Sequence, residues 1–235
     1  MTRHIVSLSG GKDSAALALY LWGKVEAEYI FCDTGRELPE VYEFLDLLEK
    51  RLAHIERIQS WGRDFDWHLK RHNYFLPSAR ARWCTTELKL RPFERYIRGS
   101  QAIVYIGLRA DEDRIGNYGL KQDITYSYPL REAGIDLVGV KKILADNGIT
   151  LPGFYKWRTV GGCWCCPFQR KRDWAGLKMF HPVLFQRAVE DEQASGNFTW
   201  VQGRKLTQLE AAWQPPLEIE QDEFDDHTPC LICAK

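Results

Sequence analysis

The sequence predicts an α/β protein with a mostly parallel central sheet and helices on both of its faces. Between Arg3 and about Leu130, short apolar runs alternate with segments of helical periodicity. Strands that alternate with helices imply a mostly parallel sheet that is covered on both faces. The 235 residues are enough for one large domain with or without a small appendage, but too few for two full domains.

Four segments are predicted as strands. The first, residues 4–8, is apolar and ends at a glycine pair, which is typical of a buried strand. Residues 29–32 follow, and residues 33–35 close that strand. Residues 55–58 form a short third candidate, and residues 102–107 give the clearest strand pattern of the later chain.

Six segments are predicted as helices. Residues 15–22 are rich in alanine and leucine, and Pro39 stands where the first turn of a helix running to Leu52 would begin. Gly148 is predicted to end a helix over residues 138–147. The other helices are predicted at residues 64–71, 87–97 and 181–193.

The composition excludes several classes of protein. Hydrophobic residues make up 45% and charged residues 27%, which is close to the average of globular domains and unlike disordered or coiled-coil chains. The 32 basic and 32 acidic residues cancel, so the whole chain has no net attraction for nucleic acid. No apolar run of about 18 residues is present, and two glycines interrupt the N-terminus before a signal-peptide core. We therefore expect a cytoplasmic protein without a membrane span.

The turn after the first strand has the composition of an oxyanion-binding loop. It comprises residues 9–14, Ser-Gly-Gly-Lys-Asp-Ser. Two glycines let the backbone approach a ligand, Lys12 adds a positive charge, and the following helix directs its free N–H groups at the loop. The spacing differs from that of the Walker A loop. A polar, capped turn is the alternative, but the full string between a strand and a helix favours nucleotide binding.

Five of the seven cysteines form two tight clusters. Cys163, Cys165 and Cys166 lie within four residues, and Cys230 and Cys233 form a C-x-x-C pair. Without a secretion signal, this spacing favours metal, cluster or redox chemistry over a disulfide framework. Cys32 lies inside a predicted strand, so we expect it in the core.

Five segments resemble, in the same order, the motifs of one known family. They are residues 9–14, then 32–40 with its Asp-Thr-Gly and Pro39, then 82–92, 107–114 and 162–167. The chain thus resembles the phosphoadenosine phosphosulfate (PAPS) reductase branch of the PP-loop, or N-type ATP pyrophosphatase, superfamily. The resemblance implies an adenine nucleotide alpha hydrolase-like fold. It implies a nucleotide-binding domain at residues 1–168 and a helical, cysteine-containing extension packed on it at residues 169–235.

The resemblance also implies roles for polar residues. The bound nucleotide would be ATP, adenylyl sulfate or PAPS, with Mg²⁺ accompanying ATP. Lys12, Lys89 and Arg109 would act in catalysis, since lysine and arginine neutralise phosphate or sulfate oxygens. The nucleotide would be held by Ser9, Gly10, Gly11, Lys12, Asp13, Ser14, Asp33, Thr34, Gly35, Arg109 and Arg114.

The cysteines are predicted by the same resemblance to hold a metal group. Adenylyl-sulfate reductases bind a four-iron cluster through a cysteine pair and a C-x-x-C motif. Cys84 matches the first cysteine of the pair, Thr85 stands at the second, and Cys163 with Cys166 matches the C-x-x-C motif. The fourth ligand of a [4Fe–4S] cluster stays open between Cys165, Cys230 and Cys233. Zinc is the alternative metal, since it accepts the same thiolates.

The C-terminus departs from the family pattern. Sulfonucleotide reductases end in an E-C-G-[IL]-H segment whose cysteine attacks the sulfate sulfur, and this segment is absent here. Cys230 or Cys233 would replace that nucleophile, although the neighbouring Asp225 and Asp226 do not favour a thiolate. The absence favours ATP cleavage between the α and β phosphates, followed by sulfur transfer, over reduction of a sulfonucleotide.

Two classes of function stay open. One is an enzyme of sulfur-transfer or sulfonucleotide chemistry, with a thiol/disulfide electron donor or a sulfur donor as partner. The other is a catalytically inactive nucleotide-binding module of a larger complex that modifies nucleic acid or acts in defence. The basic residues 169–172 would contact nucleic acid, although such a run is usually a solvated face. We expect a homo-oligomer or complex subunit, and we expect Trp157, Trp164 and Trp174 in the core.

Overall fold

A computed structural model describes residues 1–113, 123–159 and 161–209. Its centre is a five-stranded sheet in which every neighbouring pair of strands is parallel. The strand order is β3-β2-β1-β4-β5. The strands are β1 Arg3–Leu8, β2 Glu28–Cys32, β3 Ile55–Ile58, β4 Ala102–Tyr105 and β5 Ile124–Ser127.

Helices connect the strands and continue beyond the sheet. Pro39 begins the second helix, as its fixed backbone angle favours, and the Asp64 side chain caps the third by accepting from Trp67 N. The helices are α1 Lys12–Leu21, α2 Pro39–Arg51, α3 Phe65–Arg71, α4 Trp83–Thr85, α5 Arg91–Tyr96, α6 Pro129–Glu132, α7 Leu137–Asp146, α8 Lys171–Phe180 and α9 Pro182–Ala194.

The two faces of the sheet carry separate clusters of apolar side chains. Val6 and Phe31 face α1 and α2, whereas Ile5 and Val104 face α5. Neighbouring strand residues therefore point to opposite faces, and both faces are covered. This confirms the predicted α/β class. The first of these clusters continues into α8 and α9 and includes the buried Trp157, Trp164 and Trp174.

Several element predictions were wrong. Strand β5 was missed because only one of its four residues is aliphatic. Helix α8 was missed because its first residues were interpreted as a basic run. The predicted helix over residues 87–97 is instead a π-helical turn, Thr86–Leu90, followed by α5. The predicted strand over residues 102–107 ends at Tyr105.

The strand order creates a switch point between β1 and β4. The chain moves outward from β1 to β3 and then crosses back to place β4 on the other side of β1. In open parallel sheets, ligands bind at the carboxyl ends of strands at such a point. The loops after Leu8 and Tyr105 meet there. Among the described residues, no helix is long and apolar enough to cross a membrane.

Candidate functional site

One cavity lies at this switch point and joins most of the predicted site residues. The loop after β1 contributes Ser9, Gly11, Lys12, Asp13 and Ser14 to its wall. The rest of the lining carries thiols and a second lysine. Its polar and sulfur-bearing members include Thr34, Arg82, Cys84, Thr85, Lys89, Tyr155, Cys163, Cys165 and Cys166.

The loop over residues 9–14 is held in shape by its own serines. Ser14 Oγ accepts from Ser9 N at 3.1 Å and donates to the carbonyl of Gly11 at 3.0 Å. Gly10 has a φ of +73°, and a Cβ there would lie 2.4 Å from Val41 Cγ1. Only glycine meets both demands. The two serine hydroxyls therefore brace the loop from within.

Tyr155 covers the loop from another part of the cavity lining. Its phenol oxygen accepts a hydrogen bond from Lys12 N at 3.0 Å, and its ring lies 5.4 Å from Lys12 Nζ. Lys12 is almost fully buried and also contacts Asp13 Oδ2 at 3.2 Å. A backbone N–H at the start of α1, a usual partner of phosphate oxygens, is thus occupied by a tyrosine.

Arg109 is engaged with carboxylates. Its guanidinium lies 3.0 Å from Asp13 Oδ1 and 2.8 Å from Asp111 Oδ1, with Glu112 Oε1 at 3.6 Å. It is 3% exposed. In this arrangement Arg109 fixes Asp13 at the edge of the loop. Arg109 is absent from the cavity wall formed by the described residues.

Three residues after β2 were predicted to contact the nucleotide, and only one of them lies at the cavity. Thr34 lines it, whereas Asp33 accepts hydrogen bonds from Gly35 N, Tyr42 and Gln59. Gly35 has a φ of +74° and packs tightly on Asp64. Asp33 and Gly35 therefore shape the turn that presents Thr34.

Lys89 lies among the thiols. Burial disfavours its charged form, but Cys163, Glu37, Cys166 and Cys84 together raise the pKa of Lys89 above its ordinary value. Cys163 Sγ donates to Glu37 Oε1 at 3.3 Å, and Thr34 Oγ1 donates to the same oxygen at 2.8 Å. Burial raises the pKa of the Cys84 and Cys163 thiols above their ordinary value.

Two buried residues hold the cysteine loop in place. Arg158 is fully buried and donates to the carbonyls of Gly162 and Cys163 at 3.2 and 3.0 Å. Trp164 N donates to the carbonyl of Arg36 at 2.8 Å, and the Arg36 guanidinium lies over the Trp164 ring. The cysteines are therefore attached to the segment after β2 by main-chain and cation–π contacts.

The donor set suits a thiolate-bound group. Cys84 lines the same cavity as Cys163, Cys165 and Cys166, although at least 79 positions separate it from them in the sequence. In the described part of the chain, no three Cys, His, Asp or Glu side chains are arranged around one metal ion. Thiolates are ligands of both iron–sulfur clusters and zinc, so the cysteines of this cavity are candidates for holding either group.

Some predicted site residues lie outside the described residues. These are Arg114, Cys230 and Cys233. Conversely, Tyr155, Glu37 and Arg158 contact the site without having been predicted as functional. No motif marks Tyr155, which lies 143 positions from Lys12 in the sequence. Glu37 is part of the predicted 32–40 segment, but it was not singled out there.

Other single-residue predictions concern packing. Cys32 is buried in β2, and burial raises its pKa to about 12, so the expectation of a core thiol is confirmed. The basic residues 169–172 are only partly solvated. Gln169 is buried and donates to the carbonyl of Trp164, and Lys171 begins α8.

Comparison with known proteins identifies the family. Residues 3–118 match the model of the phosphoadenosine phosphosulfate reductase domain. This chain belongs to the PAPS reductase-like branch of the PP-loop superfamily. The predicted resemblance is confirmed, and it supports use of a nucleotide and enzyme-like activity at the level of the family.

One solved structure shares the fold, and uncharacterized curated proteins are similar in sequence. The crystal structure of PAPS reductase from Candida auris in complex with phosphate has the same fold, with a TM-score of 0.56 and 16% identity. The aligned region covers 71% of this chain and 83% of the Candida auris chain. The uncharacterized protein MJ0973 of Methanocaldococcus jannaschii is 25% identical over 83% of this PAPS reductase-like chain. A 37.8 kDa protein of Escherichia phage 186 is 43% identical over 25% of it. The chain spans about half of MJ0973 and 18% of the phage protein.

Proposed function

We propose that this PAPS reductase-like protein binds an adenine nucleotide for sulfur-transfer or sulfonucleotide chemistry. The phosphates would lie on residues 9–14. The single observation that carries this proposal is the shared cavity, because it brings a glycine-rich loop at a helix N-terminus together with four cysteines and Lys89. A ligand held at one wall would thus present its reacting end to the thiols.

The phosphate end of the nucleotide would be held by backbone and cation. The N–H groups at the start of α1 and the ammonium of Lys12 favour an anion. Gly107 follows β4 and approaches the same loop so closely that a Cβ there would lie 2.8 Å from the carbonyl carbon of Asp13. Phosphate oxygens that displace the Tyr155 phenol from Lys12 would gain its N–H as a donor.

The sulfur end would lie against Lys89 and the cysteines. Lys89 would neutralise a terminal sulfate or a leaving phosphate, since its raised pKa keeps it charged. Glu37 accepts the Cys163 thiol proton in the hydrogen bond, so it is placed to receive that proton if sulfur chemistry occurs at Cys163. A cluster held by Cys84, Cys163, Cys166 and one further cysteine would supply redox or sulfur-binding chemistry beside the nucleotide.

A second candidate is a nucleotide-binding module without catalysis. The specific observation in its favour is that Tyr155 already occupies the Lys12 N–H, while Asp13 and Arg109 neutralise each other. Such a loop could bind a nucleotide without turning it over. The thiols in the same cavity favour the catalytic alternative, because an inactive module has no use for them.

Product analysis separates these functions. The anaerobically purified protein is incubated with ATP, adenylyl sulfate or PAPS plus a dithiol, and the nucleotides are quantified by chromatography. Sulfonucleotide chemistry predicts release of AMP from adenylyl sulfate, or of adenosine bisphosphate from PAPS. Sulfur transfer after adenylation predicts pyrophosphate from ATP once the acceptor is supplied. Cys163→Ser is expected to abolish turnover and leave nucleotide affinity unchanged. Nucleotide binding without any product in all conditions would favour the inactive module.

A further inference from the structure

A patch of tryptophan and arginine lies between β3 and α5, outside the cavity. We call it the Trp61–Trp67 patch, and it consists of Trp61, Arg63, Trp67, Arg71 and Arg95. Trp61 is 63% exposed and Trp67 36% exposed. Large indole rings are costly to leave in water, so two exposed rings six positions apart in one segment indicate a binding surface.

The backbone presents Trp61 to solvent at a cost in strain. Trp61 and Gly62 form a tight turn, in which Arg63 N donates to the carbonyl of Ser60 at 2.8 Å. Trp61 has a φ of +52°, a region that asparagine or glycine occupies far more readily than a tryptophan. A strained, exposed aromatic residue is more typical of a functional turn than of a structural one.

Each indole ring is flanked by a guanidinium. Arg95 lies 4.1 Å from the centroid of the Trp61 ring and is fixed by a hydrogen bond from its Nη2 to the carbonyl of Gln59. Arg63 lies 4.0 Å from the Trp67 ring, and Arg71 lies 5.7 Å from it. These contacts orient the rings as flat platforms.

The charge of the patch is positive. Within the described part of the chain, Arg63, Arg71 and Arg95 form no ion pair. Of the carboxylates in this segment, Asp64 caps α3 and Asp66 pairs with Arg36 and Arg187. Three cations beside two stacking surfaces suit a polyanion that carries aromatic rings.

We infer that the Trp61–Trp67 patch binds single-stranded nucleic acid. Bases would stack on the two indole rings, and the phosphates between them would contact the arginines. The patch adjoins the cavity, since Phe65 of the same segment lines the cavity and its N–H donates to the carbonyl of Thr34. This goes beyond the proposed function, because the binding requires no nucleotide at the loop of residues 9–14.

Fluorescence anisotropy with labelled 20-nucleotide dT and rU strands tests the inference. Trp61→Ala and Trp67→Ala are each expected to weaken binding at least about fivefold, as loss of a stacked base does. Trp61→Phe retains most of the affinity. Arg63→Ala lowers the slope of log affinity against log salt by about 0.7, one phosphate contact. The matched control is Trp22→Ala, which removes a tryptophan that is 45% exposed at the end of α1 and should leave binding unchanged.

Several outcomes would overturn the inference. One is that the wild type binds neither strand. Another is that Trp22→Ala weakens binding as much as Trp61→Ala does. The third is that a duplex binds more tightly than the single strands and that Trp61→Ala leaves this duplex binding unchanged. Binding of polyglutamate with the same variant pattern would assign the patch to an acidic protein instead. The ratio of the affinities for the dT and rU strands shows whether the patch prefers DNA or RNA. Circular dichroism of each variant shows that it is folded, and calorimetry with ATP or PAPS tests the proposed function separately.

Discussion

The phenol oxygen of Tyr155 accepts a hydrogen bond from Lys12 N at 3.0 Å, at the start of the helix that follows the glycine pair. Tyr155 belongs to a 3₁₀ turn, Gly153–Lys156, which reaches the loop of residues 9–14 from another part of the cavity lining. A side chain therefore stands where a phosphate oxygen of the proposed nucleotide would bind.

Tyr155→Phe tests whether the phenol competes with phosphate. The variant keeps the ring and frees the Lys12 N–H, so we expect nucleotide affinity to rise by about 2- to 10-fold, the worth of one neutral hydrogen bond. Isothermal titration calorimetry with ATP and PAPS measures the change. Tyr96→Phe is the matched control, because its phenol contacts Glu28 in β2 and not the cavity. Weaker binding by Tyr155→Phe would mean that the phenol contacts the ligand instead of competing with it.

Gly107→Ala tests the close approach of β4 to the loop. Its Cβ would lie 2.8 Å from backbone atoms of Asp13 and 2.9 Å from Ser14 Cα, so the loop must move. We expect a loss of about 1–3 kcal/mol in the free energy of unfolding, together with weaker nucleotide binding. Urea denaturation and calorimetry measure the two effects. Gly153→Ala meets open space and is expected to change neither. Equal behaviour of the two variants would contradict the packing described here.

Arg158→Met tests how the cysteine loop is supported. The variant removes donors to the carbonyls of Gly162 and Cys163 and leaves both carbonyls without these partners. We expect the free energy of unfolding to fall by about 2–4 kcal/mol. Arg98→Met, at an exposed position, is expected to cost less than about 0.5 kcal/mol. Comparable unfolding curves for the two variants would show that the Arg158 contacts contribute little.

Metal analysis tests the predicted cluster. Anaerobically purified protein is expected to contain iron and to absorb near about 400 nm, and Cys84→Ser is expected to lose both signals. Cys32→Ala is the control, because Cys32 is buried in β2 and does not line the cavity. If the protein contains one equivalent of zinc and no iron, the cysteines form a zinc site and the predicted cluster is wrong. If the protein contains neither metal and still turns over nucleotide, the cysteines act as free thiols.

The central sheet could be predicted from the sequence because its inner strands contain short apolar runs. β1, β2 and β4 supply buried residues such as Val6, Phe31 and Val104. The edge strand β5 was not predicted, because it is only partly buried and therefore contains no apolar run. The π-helical turn at Thr86–Leu90 was not predicted either, because no local propensity distinguishes it from an α-helix.

The site was predictable where its residues lie in local motifs. The glycine-rich loop, Thr34, Lys89 and Cys84 belong to short segments with a recognisable order, and the fold brings them to one cavity. Tyr155 and Arg158 belong to no such motif, and they reach the site through the packing of the chain after α7. The pairing of Arg109 with Asp13 depends on the approach of β4 to β1, which no local pattern specifies.

Calorimetric titration with ATP, adenylyl sulfate and PAPS tests the central claim most directly. The wild-type chain is expected to bind at least one of these nucleotides. The double variant Ser9→Ala, Lys12→Met is expected to weaken that binding by about 10- to 150-fold while remaining folded, because it loses a charged contact and a brace of the loop. Failure of the wild type to bind any of the three, or binding that the folded double variant leaves unchanged, would contradict the assignment of residues 9–14 as the phosphate-binding loop.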